Sequence, residues 1–325
     1  MSDDPFADRN LALESVRVTE AAAIAASRFM GGGDEKAADQ AAVDAMHKAL
    51  QGLALKGTVR IGEGSEGETE KLHVGEKLGT GDGPKVDIAL VALEGTTIVA
   101  RGGPNALSVI AMAEDGGFLT VPGIYMDKIA VGPGLPDGIV DLDNETADNL
   151  GALADAKGIS VGDLVVCMLD RPRHAELVSK VREAGARIRL ILDGDVSGII
   201  AATQPEAGVD IFLGIGGAPQ GVLAAAALRG VGGQMQGRLV FRNNDQKTEA
   251  QRLGIENLER KYTTDDMASG NVTFAATGVT YSAMLEGVRH VAGGAVTHSL
   301  VLRSMTGTLR FIEGHHDFKR FPAKS

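Results

Sequence analysis

Asp39, Glu63 and Glu94 stand where packing alone has little use for an acid. In the helix-like segment DEKAADQAAVDAMHKALQ (34–51), Asp39 shares one face with Val43, Met46 and Leu50. An ionised carboxylate on an apolar stripe is costly to bury unless a cation, a metal or a ring of donors meets it. At the edge of that stripe it would instead be partly solvated. Glu63 lies in IGEGSEG, between two glycines and directly after a strand-like stretch. Glu94 ends the run VDIALVAL and precedes Gly95. Three acids at element ends suit a hard divalent cation, Mg²⁺ or Mn²⁺, which prefers oxygen ligands. Thr96 and Thr97 add hydroxyls beside Glu94, suited to positioning an attacking water or to capping a helix.

A second group points to phosphate. RPRH (171–174) and DGD (193–195) each end a predicted strand. In α/β sheets ligands bind at the carboxyl ends of strands. Arg171 and Arg173 have the planar, forked donors that clamp a phosphate. GIGGAPQG (214–221) joins a strand to a helix, where backbone N–H groups favour anions. It does not match G-x-G-x-x-G, which argues against a dinucleotide site.

The elements that would carry these residues are legible as apolar patterns. The spacing predicts helices over 9–30, capped by Asp8 or Asn10, and over 34–51, capped by Asp34 with Glu35 in its first turn. Strands are expected over 58–64, 86–93, 97–103 and 117–123, with a helix over 105–116. From about residue 160 strands and helices alternate: strands 164–170, 188–195, 209–217 and 271–279, helices 174–186, 196–203 and 220–230. That is the rhythm of a parallel or mixed sheet. A hairpin around Met305-Thr306-Gly307 closes the chain. The fold class expected is a layered α+β or α/β fold. Its two expected subdomains are residues 1–160, carrying the acids, and 161–325, carrying the phosphate site.

The 325 residues suffice for one large domain or two smaller ones. A net charge of −11, no tryptophan and no basic run interleaved with aromatics argue against nucleic-acid binding. The single cysteine, Cys167 in LVVCML, excludes an internal disulfide framework and reads as a small buried hydrophobe in a reducing compartment. No apolar run approaches a membrane span, and MSDDPFADRN lacks the features of a signal peptide. The expectation is a cytoplasmic protein.

Taken in order, GGGDEKAADQAAVDAM, GTVRIGEG, LHVGEKLGTGDGPKVDIAL, LEGTT, PGIYMDKIAVGPG, LDRPRHAELV, LDGDVSG, GIGGAPQGV and FAATGVT resemble successive blocks of the class II fructose-1,6-bisphosphatases. Some bacterial relatives also act on sedoheptulose 1,7-bisphosphate. The resemblance covers about residues 9 to 316. It implies an inositol-monophosphatase-like, metal-dependent enzyme that removes the 1-phosphate of fructose 1,6-bisphosphate in gluconeogenesis, using Mn²⁺ or Mg²⁺. By matching position it implies Asp39, Glu63 and Glu94 as metal ligands, with Glu94 and Thr96 serving catalysis. It implies Gly95, Tyr125, Arg171, Arg173, Asp193, Asp195 and Gly217 as contacts of the sugar bisphosphate. It also implies a homo-oligomer, a dimer or a tetramer.

The departures from the pattern are specific. The family's strand ends Asp-Pro-x-Glu/Asp-Gly-Thr, and here the first two residues are Val91 and Ala92. Valine cannot coordinate a metal. The family's Gly-Gly-x-Pro-Glu-Gly is GGAPQG here, so an acid has become Gln220. An acidic pair after the GEG turn is altered, leaving Ser65, Glu66 and Gly67 with Glu68 kept. Asp87 cannot replace the missing ligand at 91, because four residues of strand span roughly 13 Å. Two readings result: a sugar bisphosphatase with a depleted metal site, and a pseudo-phosphatase that binds sugar phosphates without turning them over.

Overall fold

The computed structural model describes residues 9–320. The chain forms two compact units, one from Met1–Asp115 together with Asn271–Ser325, the other from Gly116–Gly270.

The first unit begins with helix α1 (Arg9–Ser27) and helix α2 (Glu35–Gln51). Asp34 caps α2 as expected, its carboxylate accepting the Ala37 N–H. Asn10 lies inside α1 rather than capping it, and Asp8 is outside the described residues. Strands β1 (Lys56–Ile61), β2 (Lys77–Leu78) and β3 (Lys85–Glu94) follow, then helix α3 (Thr96–Arg101) and strand β4 (Leu107–Glu114). The chain returns to this unit with β11 (Val272–Gly278), β12 (Arg289–Val291), β13 (Gly294–Arg303) and β14 (Thr308–Asp317). These eight strands form one sheet in the order β12-β13-β11-β4-β3-β1-β2, with β14 paired along β13. Helices α1 and α2 pack against the sheet and against each other. Their apolar faces, including Val18, Ala22, Val43, Met46 and Leu50, join Ile88, Leu90 and Ile110 in one core.

The second unit contains β5 (Tyr125–Val131), α4 (Thr146–Lys157), β6 (Val165–Leu169), α5 (Ala175–Glu183) and β7 (Arg187–Ile191). It continues through α6 (Asp195–Ala201), β8 (Ile211–Gly217), α7 (Ala218–Val231), β9 (Gln234–Val240), α8 (Asn244–Arg252), β10 (Lys261–Thr263) and α9 (Thr264–Met267). Its sheet has six strands in the order β10-β9-β5-β8-β6-β7. β6 pairs in parallel with β7 and β8, and the other pairs are antiparallel. Period-two alternation divides β5 between two faces. Ile129 and Val131 join the α4 and α5 side chains Leu150, Leu153 and Val181 in a core, and Met126 and Lys128 lie beneath α7 at Gly221.

Three expected elements change identity. The strand expected over 97–103 is instead helix α3 as far as Arg101, because Gly95 takes φ of 98° and turns the chain out of β3, and Gly102, also left-handed, ends the helix. Residues 107–114 are strand, not helix: β4 lies between β3 and β11, buried on both faces, so its residues carry no period-two alternation. Residues 117–123 form no strand beyond a single bridge between Phe118 and Ala268. The division expected at residue 160 is corrected too. β5 pairs with β8 and β9, and β11 pairs with β4, so the sheets divide the chain near 115 and 270 instead. Among the described residues no helix is long and apolar enough to cross a membrane.

Candidate active site

In the first unit the acids are carried by three elements. Glu63 follows β1, Asp39 projects from α2 and Glu94 ends β3. β3 gains one residue over β4 between Val91 and Glu94, a bulge that re-aims the strand end. There the Ala92 N–H donates to Glu63 Oε1 at 2.6 Å. Burial raises the pKa of Asp39. Burial also pushes Glu63 up to about 7, against the Ala92 hydrogen bond that lowers it, and the charge of Asp39 pushes it further upward. Asp39 and Glu63 are thus electrostatic neighbours. Glu94 is buried, 5% exposed.

The expected meeting of three ligands is not found. Among the described residues no three His, Cys, Asp or Glu side chains are grouped so as to hold a metal ion. Val91 offers no donor, and one oxygen of Glu63 is already engaged by a backbone N–H. The donor set does not fit a complete divalent-cation centre. Asp87 is no substitute, being fully buried and paired with Arg60 Nε at 2.8 Å. Glu68 is exposed and accepts the Ser65 N–H. Thr96 opens α3 with Gly95 at the cap position, so neither threonine hydroxyl caps the helix.

Glu63 makes a prediction for the metal-free chain. Its folded pKa lies above the ordinary 4.5, so the folded state holds a proton that the unfolded state releases first. This contribution to stability is complete below about 4.5 and lost as pH rises to about 7. It amounts to roughly 3 kcal/mol at most. Glu63→Gln is expected to flatten that slope, read by urea denaturation in EDTA across this window.

In the second unit, topology gathers the phosphate-type residues at one end of the sheet's strands. β6, β7 and β8 run parallel, so the turns that follow them lie on the same side. Those turns carry Arg171 and Arg173, Asp193 to Asp195, and Gly217. Tyr125 pairs with Gly217 on β8 and with Val240 on β9, which brings Arg242 to the same end. The Tyr125 ring lies under two guanidinium groups, Arg173 at 4.8 Å and Arg242 at 4.2 Å from its centroid. Arg173 Nε and one terminal nitrogen donate to the Ile215 carbonyl at 2.9 and 2.7 Å. Arg171 donates to the Asp170 carbonyl. A cavity of about 290 Å³ is lined by Tyr125, Gly217, Pro219, Gln220, Arg242 and Gln246, among others. Gln220 folds back so closely that a Cβ at Gly217 would lie 1.8 Å from its Oε1.

Two expected sugar contacts are engaged within the protein. Asp195 is buried and forms an ion pair with Lys128, whose Nζ also donates to the Gly217 carbonyl at 3.0 Å. Asp193 accepts the Gly194 N–H at 3.0 Å. Lys128 itself is fully buried. Its charge inside the alternating strand YMDKIAV was the sequence signal for it. His174 is a second positioning residue: Nδ1 donates to the Leu169 carbonyl and Nε2 accepts the Ile215 N–H, both at 2.8 Å. The ring thereby ties the RPRH turn to β8. His174→Ala is expected to leave both backbone groups unpaired and cost about 2 kcal/mol or more. Urea denaturation would measure the loss, and weaker sugar-phosphate binding should accompany it.

Residues 9–316 match the model of a family described as bacterial fructose-1,6-bisphosphatase, glpX-encoded. The chain belongs to that family. A relative from Synechococcus sp. (strain JA-3-3Ab) is 40% identical over 334 residues, covering 95% of this chain and 96% of the relative. One from Trichodesmium erythraeum (strain IMS101) is 38% identical over 336 residues, covering 96% and 97%. Both bear the name D-fructose 1,6-bisphosphatase class 2/sedoheptulose 1,7-bisphosphatase.

Proposed function

We propose that this chain is a sugar bisphosphatase that removes the 1-phosphate of fructose 1,6-bisphosphate, with sedoheptulose 1,7-bisphosphate as the second candidate. Its turnover is held down by the depleted acid site. The observation that carries this reading is the Tyr125 ring beneath Arg173 and Arg242 at a cavity lined by Gly217 and Gln220. These are cations and polar groups suited to a phosphate, in a chain of a bisphosphatase family. Arg171 and Arg173 bind phosphate oxygens, and Tyr125 orients the sugar phosphate. Thr96 and Glu94 orient the attacking water. Phosphoryl transfer is catalysed by positioning and charge neutralisation. Mn²⁺ or Mg²⁺ would supply the neutralisation in this reading, bound weakly because Val91 offers no carboxylate. The enzyme would work in the cytoplasm as a homodimer or homotetramer, which size-exclusion chromatography with light scattering would check.

A second reading has its own support. Val91 lacks a donor atom, and the Ala92 N–H occupies Glu63. A chain so altered would bind sugar bisphosphates without hydrolysing them. Phosphate release from both bisphosphates, measured across Mn²⁺ and Mg²⁺ titrations beside calorimetric binding, separates the outcomes. Release only at elevated metal supports the first reading. Binding without release supports the second, and absence of both rejects the two together. Saturation at ordinary metal levels would contradict the depleted site.

A further inference from the structure

We propose that strand β7 is a docking surface for a second copy of this chain, the two copies joining edge to edge and antiparallel about a two-fold axis at Leu190. The inference rests on the homo-oligomer reading above and deepens it by naming the surface.

β7 ends the second unit's sheet, and among the described residues it pairs with β6 alone. The Arg187 N–H donates to the Leu164 carbonyl, and the Asp170 N–H donates to the Ile191 carbonyl. Bonded residues alternate along such a ladder, so Arg187, Arg189 and Ile191 turn their backbone groups to β6. The N–H and C=O groups of Ile188 and Leu190 therefore point outward. An edge of this kind is a template for another strand, and proteins blunt it with a short strand, a bulge, proline or lysine. β10, at the opposite end of the same sheet, is three residues long and carries Lys261. β7 has five residues, no proline or lysine, and an unbroken register with β6. Its two arginines turn back on their own chain, Arg187 to the Asp163 carbonyl and Arg189 to the Ala207 carbonyl.

The side chains name the occupant. Period two puts Ile188, Leu190 and Leu192 on one face. Ile188 packs on the core shared with α4 and α5, while Leu190 is 42% exposed and Leu192 57%. About a two-fold axis at Leu190 this row is its own complement. Leu190 meets Leu190 of the second copy as a hydrogen-bonded pair, Ile188 comes opposite Leu192, and Arg189 comes opposite Ile191. Just past the strand's end the same register brings Arg187 opposite Asp193, a cation facing an acid. No like charges are opposed across the junction, and the contact closes as an isologous pair. In a chain of net charge −11, the segment AGARIRLIL (184–192) contains no acid. Two copies approach here without the repulsion that acidic surfaces impose.

Size-exclusion chromatography with light scattering on the full chain tests the surface. Leu190 is exposed, so Leu190→Lys leaves the fold intact. That variant is expected to halve the molar mass of the wild type. Phe311→Lys, at an exposed apolar residue of β14, should leave the mass unchanged. Cysteine pairs then read the register, the native Cys167 being buried. Leu190→Cys is expected to link two copies covalently in diamide, because a hydrogen-bonded pair sets the Cα atoms about 5.5 Å apart, within reach of a disulfide. Leu192→Cys should not link to itself, its two copies lying roughly 13 Å apart along the strands. A wild-type oligomer that survives Leu190→Lys overturns the inference alone. So does Leu190→Cys that fails to link, or Leu192→Cys that links as readily. A wild type that is monomeric throughout removes the homo-oligomer reading, and the inference with it.

Discussion

The double variant Val91→Asp, Gln220→Glu is expected to release phosphate from fructose 1,6-bisphosphate about 100-fold faster than the wild type at equal Mn²⁺, counting about tenfold, or ~1.4 kcal/mol, for each restored carboxylate. The geometry favours the first substitution. Ala92 N–H touches Glu63, so a side chain at 91 belongs to the residue next to that contact. Asp39 already bears electrostatically on Glu63. A carboxylate there would supply the donor that Val91 lacks.

The same substitution carries a second readout. Without metal, a new carboxylate near Glu63 and Asp39 adds like-charge repulsion and desolvation. The variant should therefore melt below the wild type in EDTA and recover in Mn²⁺. A ligand at 100 times its Kd stabilises by about 2.7 kcal/mol. The wild type, lacking that donor, should shift much less with the same metal. A double variant no faster than the wild type, and no more responsive to Mn²⁺, would show that position 91 does not limit this chain.

The largest stability effect is expected at Lys128. Replacing it with Met should lower the unfolding free energy by about 3–5 kcal/mol, the cost of leaving one member of a buried ion pair alone. Lys128 is fully buried, and the side chain of Asp195 is 6% exposed. The pair sits directly over Gly216, where a Cβ would lie 1.8 Å from Asp195 Oδ2, so the carboxylate has little freedom to find another partner. Lys128→Met combined with Asp195→Asn should recover part of the loss, because the stranded charge is then gone. Urea denaturation of the two single variants and the double variant gives the coupling. Additive losses would mean that the two groups do not depend on each other.

The Lys128 pair also shows where sequence reasoning stopped. Asp195 looked like a sugar contact from its place in LDGD, and nothing local betrays that its partner lies on β5, 67 residues earlier. Arg242 carried no local signal either. It meets Tyr125 only because β9 and β5 are antiparallel neighbours with Tyr125 opposite Val240. The error over 105–116 has a related cause. NALSVIAMAE is an apolar run without distinctive period, and its neighbours β3 and β11 settle it as a strand.

By itself the sequence determined the α2 helix and its Asp34 cap, the alternating elements of the second unit, the closing hairpin, membership of the family, and a side chain without a donor atom at Val91. These are properties of residue type and short spacing, which act through the local backbone. Tertiary structure alone decided that β5 belongs with β8 and β9, that Ala92 engages Glu63, that Lys128 claims Asp195, and that Arg242 joins Arg173 at Tyr125. Each of these depends on which strands become neighbours, and strand pairing is set by the burial of whole sheet faces rather than by any local run of residues.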